Sequence, residues 1–351
     1  MRQLKTKVIP KTTKLIMNPL KIYSQKNIQK FIAKRAGETK FGESVGFVYE
    51  LNDLKTSPAK YVLIGIPEDI GVLANQGIPG TKNAWNVCLK YLLNIQANDY
   101  TNAQNLILLG EIDCSVEIKA AGTLDKEDEH YYEELGQIVT QIDAKVALVI
   151  EQVVATGKIP IVIGGGHNNS YGIIKGCSQA FQKPVNVINF DAHSDFRQLE
   201  HRHSGNGFSY AFAEGHLNKY FVFGLHKNYN SQYVIEDMNS KSKNISYNLY
   251  DCISIKKTKP FGQALKEAES FTETTNRLGI ELDLDSIQDI PSSARTPSGF
   301  SVNEARRFVC HFSGKENIAY LHLCEAAPKP GTDEEKQVGK ILAYLVTDFI
   351  N

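Results

Sequence analysis

Short apolar runs alternate with longer amphipathic stretches from about residue 60 onward, and this alternation constrains the fold more than any other feature of the sequence. Each apolar run is too short for a helix and is bounded by Gly, Pro or polar residues, which predicts a buried strand. The predicted strands cover residues 61–66, 105–109, 159–163, 185–190, 220–225, 278–284 and 318–323.

The amphipathic stretches between these runs predict helices. They cover residues 129–156, 168–180, 263–276, 302–312 and 333–350. Ser301 with Glu304 three positions later is the pattern of a capping box at the start of one of them. Alternating strands and helices indicate an α/β fold, in which helices cover both faces of a mostly parallel sheet.

The overall charge excludes some classes of function. The chain has 39 Lys and Arg against 39 Asp and Glu, so it lacks the basic excess typical of nucleic-acid binding. It contains no apolar run long enough to span a membrane and no pattern of a secretory signal. We therefore expect a cytoplasmic protein that binds neither nucleic acid nor membrane.

The charge is unevenly distributed along the chain. Residues 1–40 contain eleven Lys and Arg and one acid, whereas the remainder is acidic. This basic arm could be a targeting peptide or an anion-binding tail, but we favour a solvated arm that packs loosely on the body. We place a basic N-terminal extension over residues 1–59, followed by a single domain over residues 60–351.

Three predicted strands end in side chains that bind metal ions. They are His167 after strand 159–163, Asp191, His193 and Asp195 after strand 185–190, and Asp283 and Asp285 at the end of strand 278–284. Alternate residues of an extended chain share a face, so the carboxylates of each segment would lie together and repel. A bound cation removes that cost. Oxygen ligands with some imidazole suit Mn(II), with Fe, Co and Ni as alternatives, and six ligands fit two ions.

Each segment alone has an ordinary structural explanation. A DxHxD segment can be a surface loop, a histidine after glycines is usually a turn residue, and a DxD on a strand is often an edge or capping pair. Three such segments, each directly after a buried strand, favour the metal site.

The three segments resemble the metal-binding motifs of the ureohydrolase superfamily, which comprises arginases, agmatinases and formimidoylglutamases. The chain has GGGH, DAHSD and DLDSIQDIP where the family has GG-x-H, DAHxD and D-x-D-x-x-x-D-x-P. Residues 64–67 and 325–328 resemble two further family segments. The resemblance implies a three-layer α-β-α sandwich with a mostly parallel sheet of about eight strands, a catalytic domain over residues 60–351, and a homo-oligomer, either a trimer or a hexamer.

The resemblance also implies a set of site residues. One metal ion would be held by His167, Asp191, Asp195 and Asp283, and the other by Asp191, His193, Asp283 and Asp285. Asp191 and Asp283 would bridge two Mn(II) ions, and a metal-bound hydroxide would cleave a C–N bond of an amidine. Asp195 and Glu325 are the expected catalytic residues, and Glu325 would also pair with the cationic substrate.

Several residues favour one substrate. The GGGH segment resembles formimidoylglutamases, whereas arginases and agmatinases usually have GGDH. Arg197, Ser204 and Asn206 are predicted to bind substrate carboxylates. Lys227 and Tyr229 stand where arginases have acids for the substrate α-amine, and Lys227 is a further candidate for binding a substrate carboxylate. The leading substrate is therefore N-formimidoyl-L-glutamate, which has no free α-amine and would give L-glutamate and formamide.

Two departures from the family leave alternatives open. Phe208 takes the position of the arginase proton-shuttle histidine. His201 or His203 could substitute for that histidine from nearby, but we interpret both as solvated loop residues. Glu281 stands where the family normally has Ser. One alternative is a guanidino hydrolase that releases urea from arginine, agmatine, a guanidino acid or guanidine. The other is a non-catalytic homologue that keeps the metal site.

Overall fold

The computed structural model describes residues 19–351. Within this range the strands form a single sheet of nine. The strands are β1 (Leu20–Ile22), β2 (Tyr61–Gly65), β3 (Leu106–Ile112), β4 (Ile159–Ile163), β5 (Val185–Phe190), β6 (Leu217–Leu225), β7 (Ile245–Leu249), β8 (Leu278–Asp283) and β9 (Ile318–Cys324). Their order is β1-β3-β2-β4-β9-β8-β5-β6-β7. Every neighbouring pair is parallel except β1 with β3.

Twelve α-helices connect or flank these strands in the same described range. They are α1 (Gln25–Ile28), α2 (Phe41–Ser44), α3 (Ile70–Ala74), α4 (Ala84–Leu92), α5 (Ser115–Ala121), α6 (Tyr131–Val154), α7 (Asn169–Phe181), α8 (Gly207–Ala213), α9 (Gln232–Ser240), α10 (Phe261–Thr272), α11 (Val302–Phe312) and α12 (Asp333–Ile350). Short 3-10 turns include Ser204–Asn206 and Leu284–Ser286. Among residues 19–351, no helix combines the length and the apolar character needed to cross a membrane.

The sheet separates two hydrophobic cores, because alternate residues of each strand point to opposite faces. Leu63 and Ile161 belong to the core that packs against α4, α10, α11 and α12. Val62 and Val162 belong to the core that packs against α6, α7, α8 and α9. Helices therefore cover both faces, which confirms the predicted three-layer α/β arrangement.

The sequence predicted the buried strands better than the edges of the sheet. Strands β4 and β5 and helices α11 and α12 have the predicted bounds. Strands β1 and β7, the two edge strands, were not predicted. β7 has the sequence ISYNL and is only partly buried, so it lacks the continuous apolar run that marked the other strands.

The expected loose packing of the basic arm is wrong for its described residues, 19–40, and the rest of the extension to residue 59 is packed as well. Ile28, Phe41 and Leu54 are fully buried, and β1 extends the sheet by pairing with β3. Apolar side chains spaced among the lysines are buried in this segment. The net charge of the segment gave no indication of that burial. Residues 1–18 lie outside the described part, and the domain boundary at residue 60 stays a prediction.

The capping box predicted at Ser301 is present at the start of α11. The Glu304 backbone N–H donates to Ser301 Oγ at 3.2 Å, and the Ser301 N–H donates to Glu304 Oε2 at 2.8 Å. Ser301→Ala removes the first of these bonds and should lower the free energy of unfolding by about 1 kcal/mol in urea denaturation. Ser313→Ala, past the other end of α11, is the control and should change it by less than about 0.5 kcal/mol. An unchanged midpoint of urea denaturation for Ser301→Ala would show that the cap contributes nothing to the stability of the protein.

Candidate active site

The strand order places the three predicted ligand segments side by side. β4, β9, β8 and β5 are consecutive neighbours in the sheet and are all parallel, so their carboxyl ends meet at one edge. His167 follows β4, Asp191 follows β5, Asp283 ends β8 and Glu325 follows β9. Ligand sites of open α/β sheets lie beyond this edge.

A first cluster forms around the imidazole of His167. Its Nδ1 lies 2.8 Å from Asp195 Oδ2, 3.1 Å from Asp283 Oδ2 and 3.2 Å from Asp191 Oδ2. The side chains of His167, Asp191 and Asp283 are buried, whereas that of Asp195 is 12% exposed. These four residues could hold one metal ion.

A second cluster adjoins the first through Asp191. His193 Nδ1 lies 3.2 Å from Asp285 Oδ2 and 3.7 Å from Asp191 Oδ1. Asp191 thus directs one oxygen to each cluster, which supports its proposed bridging role. Asp283 groups only with the first cluster in the structure, so its bridging role stays a prediction.

The two clusters fit a bound cation. His167 Nδ1 is surrounded by carboxylate oxygens, yet within the described chain it makes no well-directed hydrogen bond, and neither does the buried Oδ1 of Asp285. Burial, together with the charges of Asp285 and Asp191, raises the pKa of Asp283 well above its usual range. Burial and the charge of Asp191 raise the pKa of Asp195 as well. Divalent cations would satisfy the unpaired atoms and remove the repulsion.

Local hydrogen bonds fix the orientation of the aspartates. Asn189 donates from Nδ2 to Asp191 Oδ2 at 2.8 Å, and the His193 N–H donates to Asp191 Oδ1 at 2.7 Å. The Asp285 N–H donates to Asp283 Oδ1 at 2.8 Å. Both oxygens of Asp191 and the Oδ2 of Asp283 still face the imidazoles, so the ligand atoms are arranged before any ion binds.

Both predicted catalytic residues have a strained backbone conformation. Asp195 has φ +45° and Glu325 has φ +60°, in the left-handed region that non-glycine residues seldom adopt. Such conformations cost about 1–3 kcal/mol each and persist where the surrounding structure enforces them. The conformational free energy of the backbone is therefore less favourable at these two residues, whose carboxylates both line the cavity described below.

Glu325 connects the end of β9 to the His167 segment. Its Oε1 accepts a hydrogen bond of 2.6 Å from the His167 backbone N–H, and the Ser293 hydroxyl donates to its Oε2. Burial raises the pKa of Glu325 to about 8, although the Ser293 hydrogen bond opposes that shift. A cation placed against this carboxylate would favour its charged form.

Glu68, which the sequence analysis missed, holds the glycine loop in front of His167. Its Oε1 accepts from the Gly166 N–H at 3.1 Å and from Asn169 Nδ2 at 2.6 Å, and its Oε2 accepts from the Ile70 N–H at 2.7 Å. A Cβ on Gly165, where φ is +73°, would lie 2.2 Å from Asn169 Nδ2. Glu68 follows directly after an apolar strand and Pro67, so the strand-end argument that identified Asp191 also applied to it.

The clusters open into a cavity of about 590 Å³. Its lining includes His193, Asp195, Arg197, Ser204, Tyr229 and Glu325. Arg197 is the only lysine or arginine among the lining residues of the described chain. Its side chain is 53% exposed, donates to Asn75 Oδ1 at 2.7 Å, and lies 3.2 Å from Glu200 Oε1.

Two residues considered for substrate binding lie away from this cavity. Asn206 is fully buried, and its Oδ1 accepts from Arg202 and from the His203 N–H, while its Nδ2 donates to the His201 carbonyl. The placement of Asn206 therefore contradicts its predicted contact with substrate. Lys227 instead pairs with Asp251 at 2.6 Å.

Neither loop histidine lines the cavity. His203 is buried, accepts at Nδ1 from the Gly205 N–H at 3.0 Å, and has a pKa lowered by burial to about 4. The expectation that it is a solvated residue is therefore wrong. Phe208, which takes the position of the shuttle histidine, packs edge-on against the His167 ring at 5.1 Å between centroids.

Tyr229 is a cavity residue whose role was not predicted. Its ring stacks on that of His193 with centroids 5.1 Å apart, and its hydroxyl lies 3.0 Å from Thr296 Oγ1. It therefore covers one face of a proposed ligand.

Comparisons with known proteins agree with this geometry. Residues 59–349 match the family model of the arginase family. The formimidoylglutamase of Macrococcus caseolyticus is 26% identical over 290 residues, which cover 81% of this chain and 83% of that protein. Two solved structures share the fold. Trypanosoma cruzi formiminoglutamase, solved with Mn²⁺, has a TM-score of 0.69 and 20% identity, covering 90% of this chain and 99% of that one. Bacillus subtilis formimidoylglutamase has a TM-score of 0.70 and 18% identity, covering 91% of this chain and 93% of that one.

Proposed function

This chain belongs to the arginase family, and from that premise we propose that it is a binuclear manganese hydrolase that converts N-formimidoyl-L-glutamate and water to L-glutamate and formamide. The observation that carries the proposal is the pair of ligand clusters that share Asp191 and open into a cavity containing both Glu325 and Arg197. In such a site the Glu325 carboxylate can bind the cationic amidine of a substrate, and the Arg197 guanidinium can bind a substrate carboxylate.

The metal ions would be held by the six residues of the two clusters. They are His167, Asp191, His193, Asp195, Asp283 and Asp285. When bound, the ions supply a water that is nucleophilic at neutral pH and positive charge that polarises the substrate. The carboxylate and imidazole donors suit Mn(II), and Fe, Co and Ni accept the same ligands.

Glu325 binds the cationic formimino group through charge-assisted hydrogen bonds. The His167 N–H and the Ser293 hydroxyl hold this carboxylate at the cavity wall, so it meets the substrate without reorganising. Asp195 lines the cavity and is the most exposed carboxylate of the first cluster, so we assign to it the proton released by the attacking water. The water oxygen bonds to the formimino carbon, and the bond from that carbon to the glutamate nitrogen breaks. Asp195 returns its proton to the departing nitrogen, which gives L-glutamate and formamide.

The charges of the cavity favour a substrate without a free α-amine. Glu200 pairs with Arg197 and His203, and the aspartates are assigned to metal ions. No acid of the described cavity lining is therefore left for an ammonium group once Glu325 binds the formimino group. Arg197 supplies a guanidinium for a substrate carboxylate, with the Ser204 hydroxyl in the same lining.

Replacing Arg197 tests that assignment. Arg197→Ala should raise KM for N-formimidoyl-L-glutamate by about 10- to 100-fold, because a charged hydrogen-bonded contact contributes ~1.5–3 kcal/mol. The kcat and the manganese content should stay unchanged, since Arg197 is not a proposed ligand. Lys227→Ala, which breaks an ion pair outside the cavity lining, is the matched control and should leave KM unaltered. An unchanged KM for Arg197→Ala would remove it from the substrate site.

A guanidino hydrolase that releases urea is the second candidate function. Arg197 is the single lysine or arginine in the described lining, whereas N-formimidoyl-L-glutamate carries two carboxylates. A guanidino acid has one carboxylate, and its guanidinium would bind Glu325 in the same way as a formimino group.

Product analysis separates the two candidates. The manganese-loaded protein is incubated with N-formimidoyl-L-glutamate and, in parallel, with arginine, agmatine, guanidino acids and guanidine. Formamide from the first substrate alone supports the proposal, and urea from any guanidino compound supports the second candidate. Metal binding without turnover of any compound indicates a non-catalytic homologue. The homo-oligomer and the cytoplasmic location stay predictions.

A further inference from the structure

A group of fully buried polar side chains lies on the Nε2 side of the His167 ring. It consists of Glu281 on β8 and Tyr320, His322 and Cys324 on β9. Glu281 and His322 are direct partners in the register of these two parallel strands. The group lies beneath the proposed metal centre and outside the lining of the substrate cavity.

The Glu281 carboxylate is held by two neighbours. Its Oε2 accepts a hydrogen bond from His322 Nδ1 at 2.6 Å, and its Oε1 accepts one from Tyr320 Oη at 2.7 Å. His322 Nε2 lies 3.4 Å from the Gly164 carbonyl oxygen. Both nitrogens of His322 thus face acceptors, so the ring connects the Glu281 carboxylate to the backbone of the glycine loop.

The same carboxylate faces His167. Glu281 Oε2 lies 3.5 Å from His167 Nε2, and in the described residues that nitrogen makes no hydrogen bond. A carboxylate oxygen can accept more than one hydrogen bond, so Oε2 can serve both imidazoles. On the other edge of the ring, Nδ1 faces three aspartates of the proposed metal centre.

We propose that Glu281, held in place by His322, positions His167 for metal binding by keeping the ring proton on Nε2 and leaving the Nδ1 lone pair for the ion. This inference rests on the metal centre of the proposed function. Histidine ligands commonly donate their second N–H to a carboxylate, which fixes the ring and increases the basicity of the ligand nitrogen. Glu281 is a positioning residue, because it acts through His167.

A manganese titration of the full-length chain tests this role. Free Mn²⁺ is followed by its electron paramagnetic resonance signal for the wild type and for Glu281→Gln, an isosteric change that removes the charge. We expect the dissociation constant of one of the two ions to rise by about 10- to 100-fold. Glu117→Gln, which neutralises a different buried carboxylate paired with Lys145, should bind both ions like the wild type. Wild-type affinity at both sites of Glu281→Gln would overturn the proposal.

A double-mutant cycle tests whether Glu281 acts through His167. In a His167→Asn background, Glu281→Gln should weaken manganese binding by less than about twofold, since the ring that it positions is gone. If Glu281→Gln still weakened manganese binding by about 10- to 100-fold in that background, the carboxylate would act on the ions directly and the proposal would be wrong. If Glu281→Gln does not fold, Glu281→Gln with His322→Gln replaces both members of the buried pair, and the same result is expected.

Two further outcomes are informative. Glu281, His322 and Cys324, together with His167, offer ligand atoms that lie within 4.8 Å of one another. A third manganese ion per chain, lost in Cys324→Ser, would make this group a metal site itself and would overturn the positioning role. Conversely, the expected affinities without any formamide production would support the positioning role and refute only the proposed function.

Discussion

Asp191→Asn should leave the protein without either metal ion and reduce kcat/KM by at least about 1,000-fold, which corresponds to ~4 kcal/mol of transition-state stabilisation. Asp191 is the one residue shared by both clusters, with Oδ2 3.2 Å from His167 Nδ1 and Oδ1 3.7 Å from His193 Nδ1. An asparagine is neutral and offers one oxygen, so it cannot serve both clusters. Metal content after desalting and formamide release measure the two effects.

The matched control for this variant is Asp99→Asn, at an exposed position. It makes the same chemical change and should keep two ions per chain and full activity. If Asp191→Asn retained two ions and wild-type turnover, Asp191 would not bridge the clusters.

Glu325→Gln should reduce kcat/KM by about 100- to 1,000-fold while leaving two ions bound. Glutamine keeps an acceptor for the His167 N–H, so the loop should stay in place, but it has no charge for the formimino cation. Steady-state kinetics with N-formimidoyl-L-glutamate and metal analysis of the same sample separate the two properties.

Glu334→Gln is the control for Glu325→Gln, because Glu334 is an exposed partner of Arg295 and does not line the cavity. Activity of Glu325→Gln at the wild-type level would exclude Glu325 from catalysis. Loss of metal together with activity would show that Glu325 acts by holding His167.

The positions of the buried parallel strands could be predicted because each consists of consecutive apolar residues. β4 and β5 have the predicted bounds for this reason. β7 is an edge strand that mixes apolar and polar residues and is only partly buried, so its sequence lacks a continuous apolar run. The packing of residues 19–59 was not predicted, because the net charge of a segment does not indicate whether its few apolar side chains are buried.

The two clusters of candidate metal ligands could be predicted because parallel strands carry their terminal residues to one edge. That argument needed only local patterns, and it identified all six proposed ligands. It did not identify the partner of Glu281, because His322 is 41 positions away and the pairing depends on β9 lying beside β8.

The substrate site was harder to predict because loops do not follow the geometry of an extended strand. Ser204 and Asn206 were expected to act together, but residues 204–206 form a 3-10 turn. Side chains two positions apart in such a turn project in different directions. Ser204 therefore lines the cavity, whereas Asn206 is buried in the loop.

The most direct test of the account is to measure formamide release from N-formimidoyl-L-glutamate while manganese is added stepwise to metal-free protein. A binuclear centre predicts that the rate rises to a plateau at two equivalents per chain, with one formamide for each glutamate and no urea. A plateau at one equivalent, or no formamide at any metal ratio, would contradict the account.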